Sequence, residues 1–303
     1  MRRRKRWSVM GEFVQLTANG ALLGFMYAIL AMGFVLVFKG SGVINFSQGE
    51  LVLLGAYVVS WVLATLGVPF WLGIPLAALV CAVAGVLIER FALRRLLNES
   101  MLALIMATIA LGSIIRGLMS LIFGDRTRSM PEILPTGTYE VLGLRFSALM
   151  VWAAVIGLLL LGALAWFFSK TKLGLAMQAV ADDRVAAQSL GMSLGVVNAT
   201  AWAIAGAVAA LAGFVWGSFL GVDGRLIALG ALIFPVVILG GLESIPGAVI
   251  GGIVVGIVES LSAGYLDDVV GGGFSTVAPL LLLLVVLLVR PYGLFGRPEI
   301  ERV

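Results

Sequence analysis

Long apolar runs, nearly free of charge and separated by short polar breaks, recur along this chain and restrict its fold more than any other feature. A helix needs about 20 mostly apolar residues to cross a hydrocarbon core of about 30 Å. Residues 13–38 supply one such run, and residues 51–88 supply two, divided near Gly67-Val68-Pro69. Residues 101–123 and 146–168 make the fourth and fifth, and Val196 to about Leu220 makes the sixth. Three weaker segments follow at 226–242, 245–265 and 277–289, the last two separated by a turn holding Asp267, Asp268 and Gly271-Gly272-Gly273. The expected fold is all-α: a polytopic transmembrane helix bundle of eight or nine spans. Residues 1–303 are expected to form one membrane domain without a soluble module, with a basic N-terminal tail at 1–12 and a C-terminal tail at 290–303.

Composition agrees. Apolar residues make up 61 % of the chain and charged residues 12 %, against about 45–50 % and about 25 % in soluble domains. Histidine is absent and the only cysteine is Cys81, inside an apolar run. A disulfide framework, a Cys/His metal site and a Ser/His hydrolase are thereby excluded, and no metal or other cofactor is expected. No Gly-Lys dipeptide occurs, so a phosphate-binding G-x-x-x-x-G-K-[ST] loop is missing and ATP hydrolysis belongs to another subunit if it drives the function. The net charge of +4 lies in short clusters between apolar runs. That pattern marks topology and lipid contact, not nucleic-acid binding.

Basic residues near span ends stay in the cytoplasm. This places Arg90-Arg94-Arg95, Lys170-Lys172-Arg184 and Arg290-Arg297 inside and the Asp267-Asp268 turn outside. Five full crossings before Ser169 would put Arg2-Arg3-Arg4-Lys5-Arg6 outside, against the same rule. Either residues 40–50 are re-entrant and one crossing is lost, or the basic tail is an exception. The first apolar run is too long for the core of a signal peptide and no cleavage pattern follows it closely.

Three features carry functional expectations. The stretch Gly40-Ser41-Gly42-Val43-Ile44-Asn45-Phe46-Ser47-Gln48-Gly49-Glu50 interrupts apolar sequence with polar side chains and glycines. It is either a surface turn or a broken helix lining a solute route, since irregular backbone at membrane depth is tolerated only beside a cavity or protein. On the second reading Asn45, Ser47, Gln48 and Glu50 border the pathway. Arg116 and Glu259 interrupt the fourth and eighth spans, and a charge at that depth must face the bundle, an aqueous path or the interface. Finally, residues 169–195 are too polar to span. Asp182 or Asp183 can cap a short helix there, Ala186-Ala187-Gln188 continues it and Gly191 ends it. Ala186, Ala187 and Leu190 give this helix a small apolar face. It is a membrane-surface helix or a docking element for another protein.

Small residues four apart, at Gly20/Gly24, Gly213/Gly217/Gly221, Gly247/Gly251 and Gly252/Gly256, let helix backbones approach closely. Packing within the subunit is expected at these sites ahead of a dimer face.

With these residues in place, the chain resembles the permeases of branched-chain amino acid ABC importers, in particular the LivH-type member of the LivH/LivM pair. Residues 42–50 are similar to the family's G-x-I-N-F-A-H-G-E. The short polar segment ending at Gly191, the stretch Leu239-Gly240-Gly241-Leu242-Glu243-Ser244-Ile245-Pro246-Gly247-Ala248 and the C-terminal Arg290-Pro291-Tyr292-Gly293-Leu294-Phe295-Gly296-Arg297-Pro298 complete the likeness. Two departures stand out: Ser47-Gln48 replaces the usual Ala-His pair, and Glu243 stands where Gly is common. The resemblance implies a non-enzymatic, multi-pass subunit of the cell inner membrane that translocates branched-chain amino acids or related small solutes. Urea and amides stay within the family's range. It implies pairing with a second, LivM-type permease, docking of two cytoplasmic ATPases through Asp183, Ala186, Ala187, Leu190 and Gly191, and delivery of solute by a periplasmic binding protein. An ion-coupled carrier or channel for a small polar solute is the competing expectation.

Overall fold

The computed structural model describes residues 9–96, 99–124, 126–141, 143–270, 272–290 and 293–296. The basic tail at 2–6, Gly271, Pro291, Tyr292, Arg297 and Pro298 lie outside the described residues. Helices α1 (Val9–Ser41), α2 (Gln48–Ser60), α3 (Phe70–Ile88) and α4 (Met101–Phe123) come first, with α2 and α3 each prolonged by a widened π-type turn. A hairpin of β1 (Thr138–Val141) and β2 (Leu144–Ser147) leads into α5 (Ala148–Lys170). Next come the short α6 (Lys172–Asp182) and α7 (Arg184–Ser189), then α8 (Leu194–Leu220), a 3-10 turn at Gly224–Ala228 and α9 (Leu229–Gly240). Helix α10 (Ile245–Tyr265), the single turn α11 (Asp267–Val270) and α12 (Phe274–Val289) complete the chain.

Seven of these segments are long and apolar enough to cross a membrane, and Gly224–Gly240 and Phe274–Val289 are shorter apolar helices. The all-α, multi-pass expectation therefore holds among the described residues, with only the two-stranded hairpin added. Span boundaries fall where local chemistry puts them. Ser100 accepts a hydrogen bond from the Ala103 amide at 3.3 Å to cap α4, and Ser244 accepts one from the Gly247 amide at 3.0 Å to cap α10. Each satisfies an amide that the first helical turn leaves unpaired.

Helix α1 is the central post. It packs against α10, α8, α5 and α9, and 72 % of its most apolar stretch is buried, against 22 % for α3 and for α4. Lipid tails are as apolar as leucine, so close van der Waals packing, not water exclusion, holds such helices together. The glycine pairs serve this packing inside the subunit. A Cβ at Gly20 would stand 2.6 Å from the Ile257 Cα, and one at Gly256 would stand 2.5 Å from the Gly24 nitrogen. Gly213 meets the backbone of Val52 to Ala56 on α2 in the same way.

The ends of the bundle have distinct chemistry. At one end, Arg94 pairs with the buried Glu89 at 2.7 Å and reaches the Gly195 carbonyl, Lys39 lies 5.0 Å from the Phe168 ring, and α6 packs against α1 and α5 with α7 against α6. This is the basic end. At the other, the Tyr57 hydroxyl donates to the Gly124 carbonyl, Arg128 pairs with Val222, and Asp267 accepts from the Ser275 amide and hydroxyl. Asp223 holds Arg225 there at 2.8 Å and accepts from Thr127. The Arg225 hydrogen bond is the main reason its carboxyl is lowered to about 2.

These contacts resolve the parity problem. The α1–α2 connection does re-enter the bundle, because the Gln48 side-chain nitrogen stands 2.5 Å from where a Cβ of Gly33 would be, about two turns short of the α1 C-terminus. Yet α2 continues from there to the end opposite the basic one, where Tyr57 meets Gly124. The segment is re-entrant without a lost crossing, and Val9 begins α1 at the end opposite α6 and α7.

Candidate functional site

The break between α1 and α2 is built by its own side chains. Gly42 takes φ +67, a left-handed conformation that ends α1 and that other residues adopt only at a cost. The Asn45 carboxamide oxygen then accepts from both the Ser47 amide at 3.1 Å and the Ser47 hydroxyl at 2.7 Å, an Asx-type turn that redirects the chain into α2. The Asn45 nitrogen donates to the Gln48 oxygen at 3.1 Å. Thr108 of α4 accepts from the Phe46 amide at 3.3 Å, holding the turn against a second helix. Asn45, Ser47, Gln48 and Thr108 are all buried, and the Gln48 side-chain nitrogen is left without a partner. An unpaired buried donor costs about 1–3 kcal/mol, so it marks where this otherwise self-satisfied cluster can accept a further group.

Gly49 lets the start of α2 approach the 3-10 turn: a Cβ there would stand 2.6 Å from the Ile227 carbonyl and 3.2 Å from the Gly230 Cα. Beside it the Phe46 ring packs on Phe234 of α9 at 5.0 Å. One turn on, Glu50 pairs with Arg116 of α4 at 2.7 Å; its side chain is 9 % exposed and that of Arg116 is 57 % exposed. Gly112 forms the floor under this carboxylate, since a Cβ there would lie 3.0 to 3.2 Å from its atoms.

The structure thus joins two expectations that the sequence kept apart: Arg116, expected as a charge within a span, is the partner of Glu50, expected to border a pathway. Glu259 is elsewhere. It accepts from the Tyr27 hydroxyl at 2.7 Å between α10 and α1, and Tyr27 leans on Trp216 of α8 at 5.2 Å between ring centres. Thr108 and the buried Glu89 were not singled out by sequence reasoning. Both sit on helix faces whose partners are more than 60 residues away or at a span end, and only three-dimensional placement exposes them.

Asp183 caps α7, accepting from the amides of Val185 and Ala186, both at 2.9 Å, and Gly191 ends it with φ +83. The polar segment forms two helices where one was expected. Thr171 caps the first, α6, by accepting from the Gly174 amide at 3.0 Å. The apolar face also differs from expectation. Ala187 is turned inward and buried, whereas Ala186 is exposed and Val185 and Leu190 are the large apolar groups pointing out, at 76 % and 79 % exposure. A six-residue helix makes fewer than two turns, so its inner and outer faces are one residue wide, and the bundle claims Ala187.

The Leu239 to Ala248 stretch and residues 293–296 meet each other: the Leu294 amide donates to the Leu239 carbonyl at 2.8 Å. Together with α5 and α6 they border a cleft of about 460 Å³ at the basic end, lined by Lys39, Phe168, Gln178, Asp182, Glu243 and Phe295 among others. Of the two departures from the family pattern, only Ser47-Gln48 falls in the buried cluster; Glu243 lines this basic-end cleft. Among the described residues no group of acidic, histidine or cysteine side chains has the arrangement of a metal site.

Residues 16–289 match the model of the family described as the branched-chain amino acid transport system / permease component. The permease protein LivH of the high-affinity branched-chain amino acid transport system of Escherichia coli K12 is 34 % identical over 305 residues, covering 96 % of this chain and 98 % of that protein. The corresponding BraD of Pseudomonas aeruginosa is 30 % identical over 306 residues, with 96 % and 98 % covered. LivM of Escherichia coli K12 is 25 % identical over 317 residues, with 94 % of this chain and 72 % of LivM covered. A multi-pass helical membrane protein with this match along nearly its whole length belongs to the branched-chain amino acid transport permease family.

Proposed function

We propose that this permease forms one half of the solute pathway of an ABC importer in the cytoplasmic membrane, moving branched-chain amino acids or related small solutes. The observation that carries the reading is the buried polar break at residues 45–50 in a chain that matches the permease family from residue 16 to 289. The basic end faces the cytoplasm, since Arg90, Arg94, Lys170, Lys172 and Arg184 gather there, and the Asp267 turn faces outside. A second, LivM-type permease completes the pathway, two ATPases supply the energy at the basic end, and a solute-binding protein docks on the opposite face. An ion-coupled carrier is not favoured: Glu50 is neutralised by Arg116, Glu259 lies against Tyr27 on other helices, and the two form no relay.

The test is uptake of labelled leucine, isoleucine and valine into proteoliposomes holding this chain, a second permease, the ATPases and the binding protein. Uptake that needs ATP and every partner is expected. Uptake by the permease alone down an ion gradient would overturn the reading.

Helix α7 presents Val185 and Leu190 outward and is the element proposed to seat in the ATPase. Val185→Glu or Leu190→Glu is expected to reduce co-purification of the ATPase about tenfold, because a charge would have to be desolvated in an apolar groove. The permease itself should keep its thermal stability. Ala187→Glu should instead destabilise the permease, since that side chain is buried against its own bundle. Equal ATPase binding by the Val185 and Leu190 variants would show that docking occurs elsewhere.

A further inference from the structure

Arg184 breaks a local rule. It occupies the first position of α7, where the positive end of the helix dipole disfavours a cation. Its guanidinium resolves the conflict by leaving α7: it donates to the Ser41 carbonyl at the C-terminus of α1. That carbonyl is one of the acceptors a helix end leaves unpaired, and a cation there is favoured by the dipole of α1. The Ser41 hydroxyl makes a separate contact, donating back to the Val37 carbonyl at 2.7 Å. Ser41 is buried, so the bond is sheltered where it meets α1.

The next residue is the hinge of the break. Gly42 has φ +67, and a Cβ on it would stand 3.3 Å from Arg184 Cζ, so the missing side chain both permits the turn and makes room for the guanidinium. Three residues further on, Asn45 begins the buried cluster with Ser47 and Gln48. The surface helix and the buried break are 143 residues apart in sequence at this bond, yet one side chain joins them.

Resting on the transport reading above, we infer that Arg184 is the positioning residue that links movement of α7 to the conformation of the 42–48 segment, so that ATPase motion at the basic end reaches the solute pathway through Ser41 and Gly42. It acts through the backbone of α1 and touches no solute. Arg184→Lys keeps the charge and a donor at this point; Arg184→Gln removes the charge.

Two measurements test this. In the isolated permease, amide exchange at Gly42, Phe46 and Ser47 should quicken about tenfold in Arg184→Gln, the scale of one charge-assisted hydrogen bond, while the amides of α10 stay as they were. In the full transporter, leucine taken up per ATP hydrolysed should fall about tenfold in Arg184→Gln with the ATPase still bound, and Arg184→Lys should restore most of it. Unchanged exchange with unchanged coupling would overturn the proposal. So would loss of ATPase binding in Arg184→Gln, which would make Arg184 part of the docking face. If the unmodified transporter takes up no leucine on ATP, the transport reading fails and the proposal fails with it, whereas normal coupling in the unmodified transporter and in Arg184→Gln alike refutes the proposal alone.

Discussion

Gly24→Leu is expected to leave almost no folded permease, because at this site two helix backbones touch with no side chain between them. A Cβ on Gly24 would stand 2.6 Å from the Gly252 carbonyl oxygen and 2.8 Å from its carbon, with the Ile253 Cα closer still. Backbone cannot rotate out of the way as a side chain can. Overpacking in an ordinary core costs about 1–3 kcal/mol, and here relief requires moving α1 or α10 as a whole. Since α1 also packs on α8, α5 and α9, a shift in one contact is passed to the others. Most single domains are stable by only about 5–15 kcal/mol, so the loss is a large share of what is available. The control is Gly162→Ala on α5, where a Cβ would meet nothing within 4 Å and alanine is the better helix former. The monodisperse fraction after detergent extraction should collapse for Gly24→Leu and remain normal for Gly162→Ala. Normal yields for both would mean that the α1–α10 contact is looser than its geometry.

The same glycines show what a sequence can reveal. Spacing four apart told that Gly20, Gly24, Gly252 and Gly256 serve close packing, but not that the first pair meets the second. Span limits were legible because charge and capping chemistry are local: α4 and α10 begin after Ser100 and Ser244 and run over the residues expected from hydropathy, Met101–Phe123 and Ile245–Tyr265. Helix α6 was not legible as a separate helix, since its sequence is too polar for a span and the stripe it buries, Gly174, Met177 and Val180, is short and gains its meaning only from the tertiary contacts of α6 with α5 and α1. The hairpin before α5 was missed for a related reason: strands of four residues give too short a period to stand out. For the break at 42–50 the residue types announced polarity at depth, and Asn45 bonding Ser47 is a local motif. What the sequence left open was how that polarity is answered. Thr108, Arg116 and Arg184 come from 62, 66 and 143 residues away, and only the fold decides which distant side chain arrives.

The pairing of Glu50 with Arg116 leads to the second large effect, and its size depends on which partner is removed. Glu50 is enclosed, with its side chain 9 % exposed and Gly112 directly beneath it, while the Arg116 side chain is 57 % exposed. Arg116→Met therefore strands a carboxylate inside the bundle, where removing one member of a buried pair costs about 3–5 kcal/mol, a range to be discounted here toward its lower end because Arg116 is partly exposed. Glu50→Gln keeps the shape, removes the buried charge and leaves Arg116 free to turn toward the interface, as long basic side chains do. It should cost less than Arg116→Met. In the double variant no buried charge is left without its partner, so it should recover much of the stability lost in Arg116→Met. Thermal unfolding of the four purified forms gives the cycle directly. Uptake should behave differently: if the 45–50 cluster borders the pathway, Glu50→Gln and the double variant should both transport poorly although both are folded. Equal stability losses for the two single variants would mean that Glu50 has water access of its own, and normal uptake in the double variant would make the pair purely structural.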